Sequence, residues 1–478
     1  MKEKRLIKKS LLDFASESMY RYGTHVIENR AIPDFRDALK PVQRRILWSM
    51  YEDHMGPSSP FKKVARICGN VMGKYHPHGD SSITNALVNM AGTFETKYSQ
   101  NTPVPYVYGQ GNFGEMNGQA AASRYIEAKL TKFSSRMMLD SNYMNVVPLV
   151  PNYDGLEKEP FYLPSLLPSI LLNGAAGIAV GVITGIPAFH IKGVLEIVKI
   201  GLKNKITVDD CIKNLKVHTL FGGEHINTKK EMREFYETGE GQLLIGPSIE
   251  EKEGKLHIIG GSPYFNAERA QLKILNFDNV VRVDDFGSKD DPIHLVVTFK
   301  RGMSDDDLDK LIDKCYNSLI SSQTLRLNVI ERHDENRVTF HSHLNGLTMP
   351  KLIDMWIKWR VQLEVDCQKY IAGKLRKEIH YNEILLLATN SLEKIKRELQ
   401  RKAPDFEKRL AKTLKISIED AQIIAAMQVK RLSALSKVEI QKVLKEKNRL
   451  LKQAIHHSKN PRKKILSDLS ELKLSEFQ

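Results

Sequence analysis

Residues 346–402 carry a strongly helical pattern, and a second long helical run follows at 437–457. Between them the chain breaks at RKAPDFEKR, residues 401–409, then carries a compact helical segment. Two long helices flanking a small globular tip predict an antiparallel coiled coil with an end-mounted domain. The 478 residues suffice for about three domains, so the rest of the chain must supply other cores.

Those cores read as a mixture of helix and strand. In residues 10–29, Leu11, Ala15, Met19, Tyr22 and Val26 recur every three to four positions, which predicts a helix ended by Pro33. Pro41 fits the first turn of a second helix, PVQRRILWSMYED. A third helix is expected at about 61–72. A fourth should be capped by Asp80 or Ser81, with Ile83, Ala86, Leu87, Met90 and Ala91 on one face and Ser81, Ser82, Asn85 and Asn89 opposite. The turn GKYHPHGD between them fits a DNA-binding helix-turn-helix or an ordinary bundle turn. Residues 146–190 are rich in proline and glycine and read as strands and tight turns. QLLIG, KLHIIGG and HLVVTFK, between 240 and 300, read as strands of an α/β insert.

The formal charge of +15 favours a polyanionic partner. It is unevenly spread: net +7 over residues 1–150, −5 over 151–350 and +13 over 351–478. The basic end could bind nucleic acid loosely or be a solvated lysine-rich helix pair. Cys68, Cys211, Cys315 and Cys367 form no CxxC pair, which argues against a disulfide framework or structural zinc. The N-terminus lacks a secretory signal and no stretch has 18 apolar residues, so a soluble cytoplasmic protein without a membrane partner is expected.

Several constellations carry chemistry. In QAAASRYIEAKL, residues 119–130, Arg124 precedes Tyr125. A tyrosine hydroxyl is a poor nucleophile unless a base, metal or cation helps it, and an adjacent guanidinium matches phosphate geometry. The alternative is a packed helical tyrosine beside Ile126 and Leu130. His76 and His78 form an HxH pair, which could ligate a metal or serve a relaxase-type nuclease, but no third ligand lies nearby in sequence. The acidic run SDDDLDK, residues 304–310, could hold magnesium or open a helix, where acids favour the positive dipole end; the capping reading is preferred. No GxxxxGKS phosphate loop, Ser-His-Asp or HExxH pattern occurs, so the chain is expected neither to hydrolyse ATP nor to hold catalytic magnesium by itself.

In order, RAIPDFRDALKPVQRR (30–45), GKYHPHGDS (73–81), GQGNFG (109–114) and the Arg-Tyr pair resemble the DNA-cleaving A-type subunit of type IIA topoisomerases. The resemblance is dense over 28–190, thinner across the insert, and returns at 420–436, which resembles the dimer-contact segment. It implies an α+β multidomain fold: an N-terminal helical arm contacting the partner (1–29), a winged-helix DNA-gate domain (30–158), an α/β tower domain (159–345), and a long antiparallel coiled coil with a globular helical exit gate (346–478). It implies that Tyr125 is the nucleophile, forming a 5′-phosphotyrosyl bond, with Arg124 stabilising the transition state. Arg30, Lys40, Arg44, Arg45, Lys74, His76, His78 and Ser81 match DNA-contacting positions, and Ile178 matches an isoleucine that wedges between base pairs. A homodimer on double-stranded DNA is implied, with a B-type partner subunit carrying the ATPase and holding magnesium and ATP. The main rival is a non-catalytic DNA-binding or architectural protein that keeps the fold.

The short C-terminus, the ASRYI variant and FYLPSLLPSILLNG look closer to phage medium subunits. A chain ending here is expected to lack the DNA-wrapping domain of gyrase, and so to relax and decatenate. Gln43 stands where bacterial members usually have histidine, so altered DNA contacts are expected. Asn85 stands where they usually carry an acid that, with Ser81, anchors quinolones through a metal-water bridge. Weak quinolone sensitivity follows, and Asn85→Asp should lower the inhibitory quinolone concentration; an inhibition series showing no gain would contradict this.

Overall fold

The computed structural model describes residues 10–93, 103–114, 118–262, 265–288, 292–334, 337–401, 405–426 and 437–473. The chain divides into two compact units, residues 1–360 with 468–478, and residues 361–467. The architecture is α+β, with mixed sheets and long helices.

In the larger unit, helix α1 spans Leu11–Val26, and its N-cap Ser10 accepts the Asp13 amide at 3.1 Å. The expected apolar face is present, yet Leu11, Met19 and Tyr22 are exposed and only Gly23 and Val26 are buried. A π-helical turn, Ile27–Ala31, leads into the segment 32–40. Helix α2, Pro41–Glu52, starts with Pro41 at its first position, and the Gln43 side-chain oxygen accepts the Lys40 amide at 2.9 Å. Helix α3, Val64–Lys74, begins later than expected because Lys62–Lys63 is spent as strand β1. Helix α4, Asp80–Met90, buries Ile83, Leu87 and Met90 and exposes Ser81, Ser82, Asn85 and Asn89. Its N-cap is Gly79 rather than Asp80 or Ser81, and Asp80 is the first helical residue.

Strands β2 (Ala91–Thr93), β3 (Val107–Gln110) and β4 (Glu127–Leu130) join β1 in the order β1-β4-β3-β2, with β2 and β3 parallel. Helices α2, α3 and α4 pack beside this small sheet.

A five-stranded sheet follows in the order Ala175–Ala179, Val182–Ile186, Ser321–Arg326, Glu240–Gly246, Glu224–His225. Its first two strands form a hairpin turning at Gly181, whose φ of 74° suits glycine. Gly177 on this hairpin is required: a Cβ there would lie 2.1 Å from the Ala31 carbonyl oxygen. A second sheet pairs Ser248–Lys252, Lys255–Gly260, Leu295–Phe299 and Val280–Asp285, all antiparallel. Alternate residues Leu256 and Ile258, and Leu295 and Val297, bury one face with Ile274, Leu311 and Cys315. The acidic run opens the helix Asp305–Ser318: Ser304 caps it by accepting the Asp307 amide, and Asp305–Asp307 fill the first turn.

The helix Met349–Asn390 continues into the smaller unit, where Leu392–Gln400, Phe406–Leu414 and Ile418–Ala426 close a core of Ile384, Ala388, Ile395, Leu410, Ala421 and Ile424. Glu398 is buried there, paired with Arg401 at 3.1 Å and Arg409 at 3.4 Å. The long helix Lys437–Lys459 is tied to Met349–Asn390 by a Lys447–Glu378 ion pair. Of the expected dimer-contact stretch 420–436, residues 427–436 lie outside the described residues. Among the described residues no helix is long and apolar enough to cross a membrane.

Asp37 is fully buried and accepts from Arg44 Nε at 2.7 Å, from the Leu39 amide at 3.0 Å and from the Leu163 amide at 2.8 Å. Asp37→Ala strands a buried guanidinium and two amides, so it should destabilise this unit by about 3–5 kcal/mol. Urea unfolding followed by tryptophan fluorescence measures this, since Trp356 Nε1 donates to the Arg36 carbonyl nearby at 3.2 Å.

Candidate functional site

The Arg124–Tyr125 pair sits in a loop entering β4, not on a helix. The first amides of α3 have no partner within their own helix. Here they bracket the loop: Val64 N donates to the Ile126 carbonyl and Ala65 N to the Ser123 carbonyl, each at 3.0 Å. The GQGNFG motif supports the loop from its other side. Gly111, at φ 96°, leaves only the space in which a Cβ would meet Ile126 at 3.3 Å. The Asn112 side chain accepts the Gly114 amide at 2.8 Å, and the Asn112 carbonyl accepts the Ala121 amide at 3.0 Å.

The result is a sharp change of environment between neighbours. Ile126 and Leu130 are buried, whereas Tyr125 is 64% exposed. The Arg124 guanidinium lies 4.7 Å from the centre of the Tyr125 ring, a cation–π contact. Such a pair offers a hydroxyl and a cation to the same incoming anion. Neither residue forms an ion pair or a side-chain hydrogen bond among the described residues.

A second group lies where α2 meets the α3–α4 turn. Arg45 is held bidentately by Glu159, at 2.6 and 2.7 Å, and its Nη1 lies 3.0 Å from His76 Nδ1. A guanidinium only donates, so Nδ1 must accept and the His76 proton resides on Nε2. Burial lowers the His76 pKa to about 4, helped by the charges of Arg45, His78 and Arg30. His76 is therefore a neutral donor near pH 7, with one N–H unclaimed by Arg45. His78 is exposed and its ring packs edge-on to His76 at 4.5 Å. Among the described residues, no three His, Cys, Asp or Glu side chains are placed to hold a metal.

The remaining candidates divide. Arg30 is exposed, close enough to act on His76. Lys40 is half-buried without an ion-pair partner among the described residues, and burial pulls its pKa down. Lys74 is half-buried at the end of α3, and Ser81 and Asn85 stand one turn apart on the exposed face of α4. Arg44 is different. It is 7% exposed, with its guanidinium on Asp37 and on the Leu39 carbonyl at 2.9 Å. Its side chain ties Asp37 and Leu39 at the end of the 35–37 turn and so positions Lys40. Gln43 spends its amide oxygen on the α2 cap.

Ile178 is 80% exposed on the hairpin, paired across the strands with Ile183 and near the turn residue Val180. Both neighbours are also partly exposed, which makes an apolar tip of three side chains. Val180, Ile183 and Glu159 were not singled out from sequence. The alternation in GIAVGVITG marks Val180, Ile183 joins Ile178 only through the hairpin register, and Glu159 becomes visible only through its contact with Arg45.

A family model for the A subunit of DNA gyrase/topoisomerase IV matches residues 30–472. The chain is 32% identical over 456 residues to the DNA gyrase A subunit of Streptococcus pneumoniae serotype 4, covering 92% of this chain and 53% of that protein. It is 32% identical over 470 residues to the DNA gyrase A subunit of Staphylococcus epidermidis, covering 94% and 50%. The Thermotoga maritima protein of the same name is 32% identical over 451 residues, covering 90% and 53%. The chain thus spans about half the length of the curated relatives it matches. These relatives are bacterial, and they lend no support to the expected phage likeness.

His76 gives this geometry a test. Its imidazole should titrate with a midpoint about 4 in the folded protein, below the 6.5 of a free side chain. The unfolded chain then binds the extra proton first, so this group's stabilisation is complete above about pH 6.5 and lost as pH falls through about 4. Arg45→Ala should move the midpoint up, as read from the His76 ring signals by NMR; an unchanged midpoint counts against the assigned contact.

Proposed function

The chain belongs to the family of DNA gyrase and topoisomerase IV A subunits, and on that premise we propose that it is the DNA-breakage-reunion subunit of a type IIA topoisomerase. The observation that carries the reading is Tyr125: an exposed hydroxyl in a loop fixed by the α3 amides, with a guanidinium over its ring.

In this reading the Tyr125 oxygen attacks a backbone phosphorus. The 3′ oxygen leaves with a proton, the phenol proton passes to solvent or a base, and a 5′-phosphotyrosyl ester remains. Arg124 places charge where the phosphate oxygens gain it. The ester conserves the phosphodiester's bond energy, so attack by the 3′ hydroxyl reseals the strand without ATP. His76 Nε2–H, Arg30, Arg45, Lys40, Lys74, His78 and Ser81 hold the duplex beside the cut. Arg44 acts through the turn it braces. Ile178, with Val180 and Ile183, supplies an apolar wedge that unstacks one base step at a cost of a few kcal/mol, offset by the contacts a bent duplex makes.

We assign residues 30–158 as the winged-helix gate, 159–345 as the tower and 346–478 as the coiled coil with the exit gate, with 1–29 as the partner arm. One cut per strand requires a homodimer. Magnesium and ATP belong to a B-type partner subunit, where the metal would stabilise charge on the reacting phosphate.

The test combines the chain, its B-type partner, magnesium and supercoiled plasmid, followed by a denaturing quench. Protein should remain on 5′ DNA ends. Tyr125→Phe should abolish linkage while DNA affinity changes less than about threefold, and Arg124→Ala should slow cleavage by about 10²–10³. DNA bound equally well with no linkage in the unaltered protein would leave a DNA-binding protein without the cleavage activity.

A further inference from the structure

A cleft of about 350 Å³ opens beside the helix Lys229–Thr238, and none of the residues assigned to DNA chemistry lines it. Its floor is apolar, formed by the buried Leu215, Val217 and Met232 with Tyr236, whose hydroxyl is spent on the Leu215 carbonyl at 3.2 Å. Its polar lining is His190, Lys216, His225, Asn227 and Lys229, with no carboxylate. Neither lysine has an ion-pair partner among the described residues.

His225 supplies an independent sign. Its Nε2 is buried without a hydrogen-bond partner. The neighbouring Asn227 side chain is spent elsewhere, its nitrogen donating to the Gln242 carbonyl at 2.9 Å and its oxygen accepting the Leu244 amide at 2.7 Å. Glu231, the carboxylate acting on His225, is already committed to capping the helix, accepting the Thr228 amide at 2.7 Å. Buried polar atoms are normally satisfied, and pockets that orient ligands combine an apolar floor with a few convergent polar groups.

We propose that this cleft binds a small organic anion with an apolar body, its charged head on Lys216, Lys229 and His225 Nε2 and its body on the Leu215–Val217–Met232 floor. This site is separate from the Tyr125 chemistry and does not depend on it.

Phenyl phosphate is the probe, titrated into the full chain labelled with ¹³C at the methionine methyls. The Met232 signal, identified by its loss in Met232→Leu, reads the cleft alone and is blind to phosphate held on the DNA-binding surface. It should shift saturably. Affinity should fall about tenfold or more in Lys216→Ala/Lys229→Ala and in His225→Gln, with thermal midpoints kept. Phenol and inorganic phosphate, each carrying half the recognition, should bind at least about tenfold more weakly. A Met232 methyl that does not move, or that shifts equally in the double-lysine variant, means that the cleft holds only water and overturns the proposal.

Discussion

Four charged side chains buried within eleven residues fix the structure around the candidate site. Asp34, Arg36, Asp37 and Arg44 are all less than a tenth exposed. Taking an ion out of water costs several kcal/mol, and only complete pairing offsets it. Asp34 holds Arg36 through two bonds, at 2.8 and 2.6 Å, and also accepts the Arg332 amide at 3.2 Å. Burial opposes ionisation of Asp34, yet the Arg36 guanidinium beside it holds its carboxyl below the usual range. Arg36 also lies 4.0 Å from the centre of the Tyr162 ring. Two carboxylates therefore draw together backbone from around residues 34–44, 163 and 332, stretches far apart in the chain.

The candidate chemistry depends on that knot at one remove. It sets the start of α2, and α2 carries Arg45 to His76 and leaves Lys40 at the helix entrance. The adjacent arginines have opposite fates: Arg44 faces inward to Asp37, while Arg45 faces the histidine turn with Glu159 steadying it. The same division runs through residues 30–130. Some charges are neutralised to hold the backbone, and others, such as Arg30, Arg124 and Lys74, carry no ion pair among the described residues.

Much of this was legible from residue order wherever the deciding interactions are local. The period of Ile83, Leu87 and Met90 gave the buried face of α4, Pro41 gave the start of α2, and Ser304 with its acids gave a helix opening. Failures came where distant chain decides. Lys62–Lys63 fits a helix until β4 pairs with it, and that delayed α3. Gly79 displaced Asp80 as the cap because the histidine turn sets the backbone there. Periodicity gave α1 an apolar face but could not say what covers it. Arg44 and Arg45 look alike in sequence, and only Asp37 with the remote Leu163 amide separates them. The loop character of Tyr125 likewise depends on α3 amides some sixty residues earlier.

The most direct measurement is to trap the protein on DNA, digest both components, and identify the linked peptide and nucleotide by mass spectrometry. A single modified peptide from the 119–130 region is expected, with the nucleotide joined through its 5′ phosphate to Tyr125. Attachment at another residue, or through a 3′ phosphate, would contradict this.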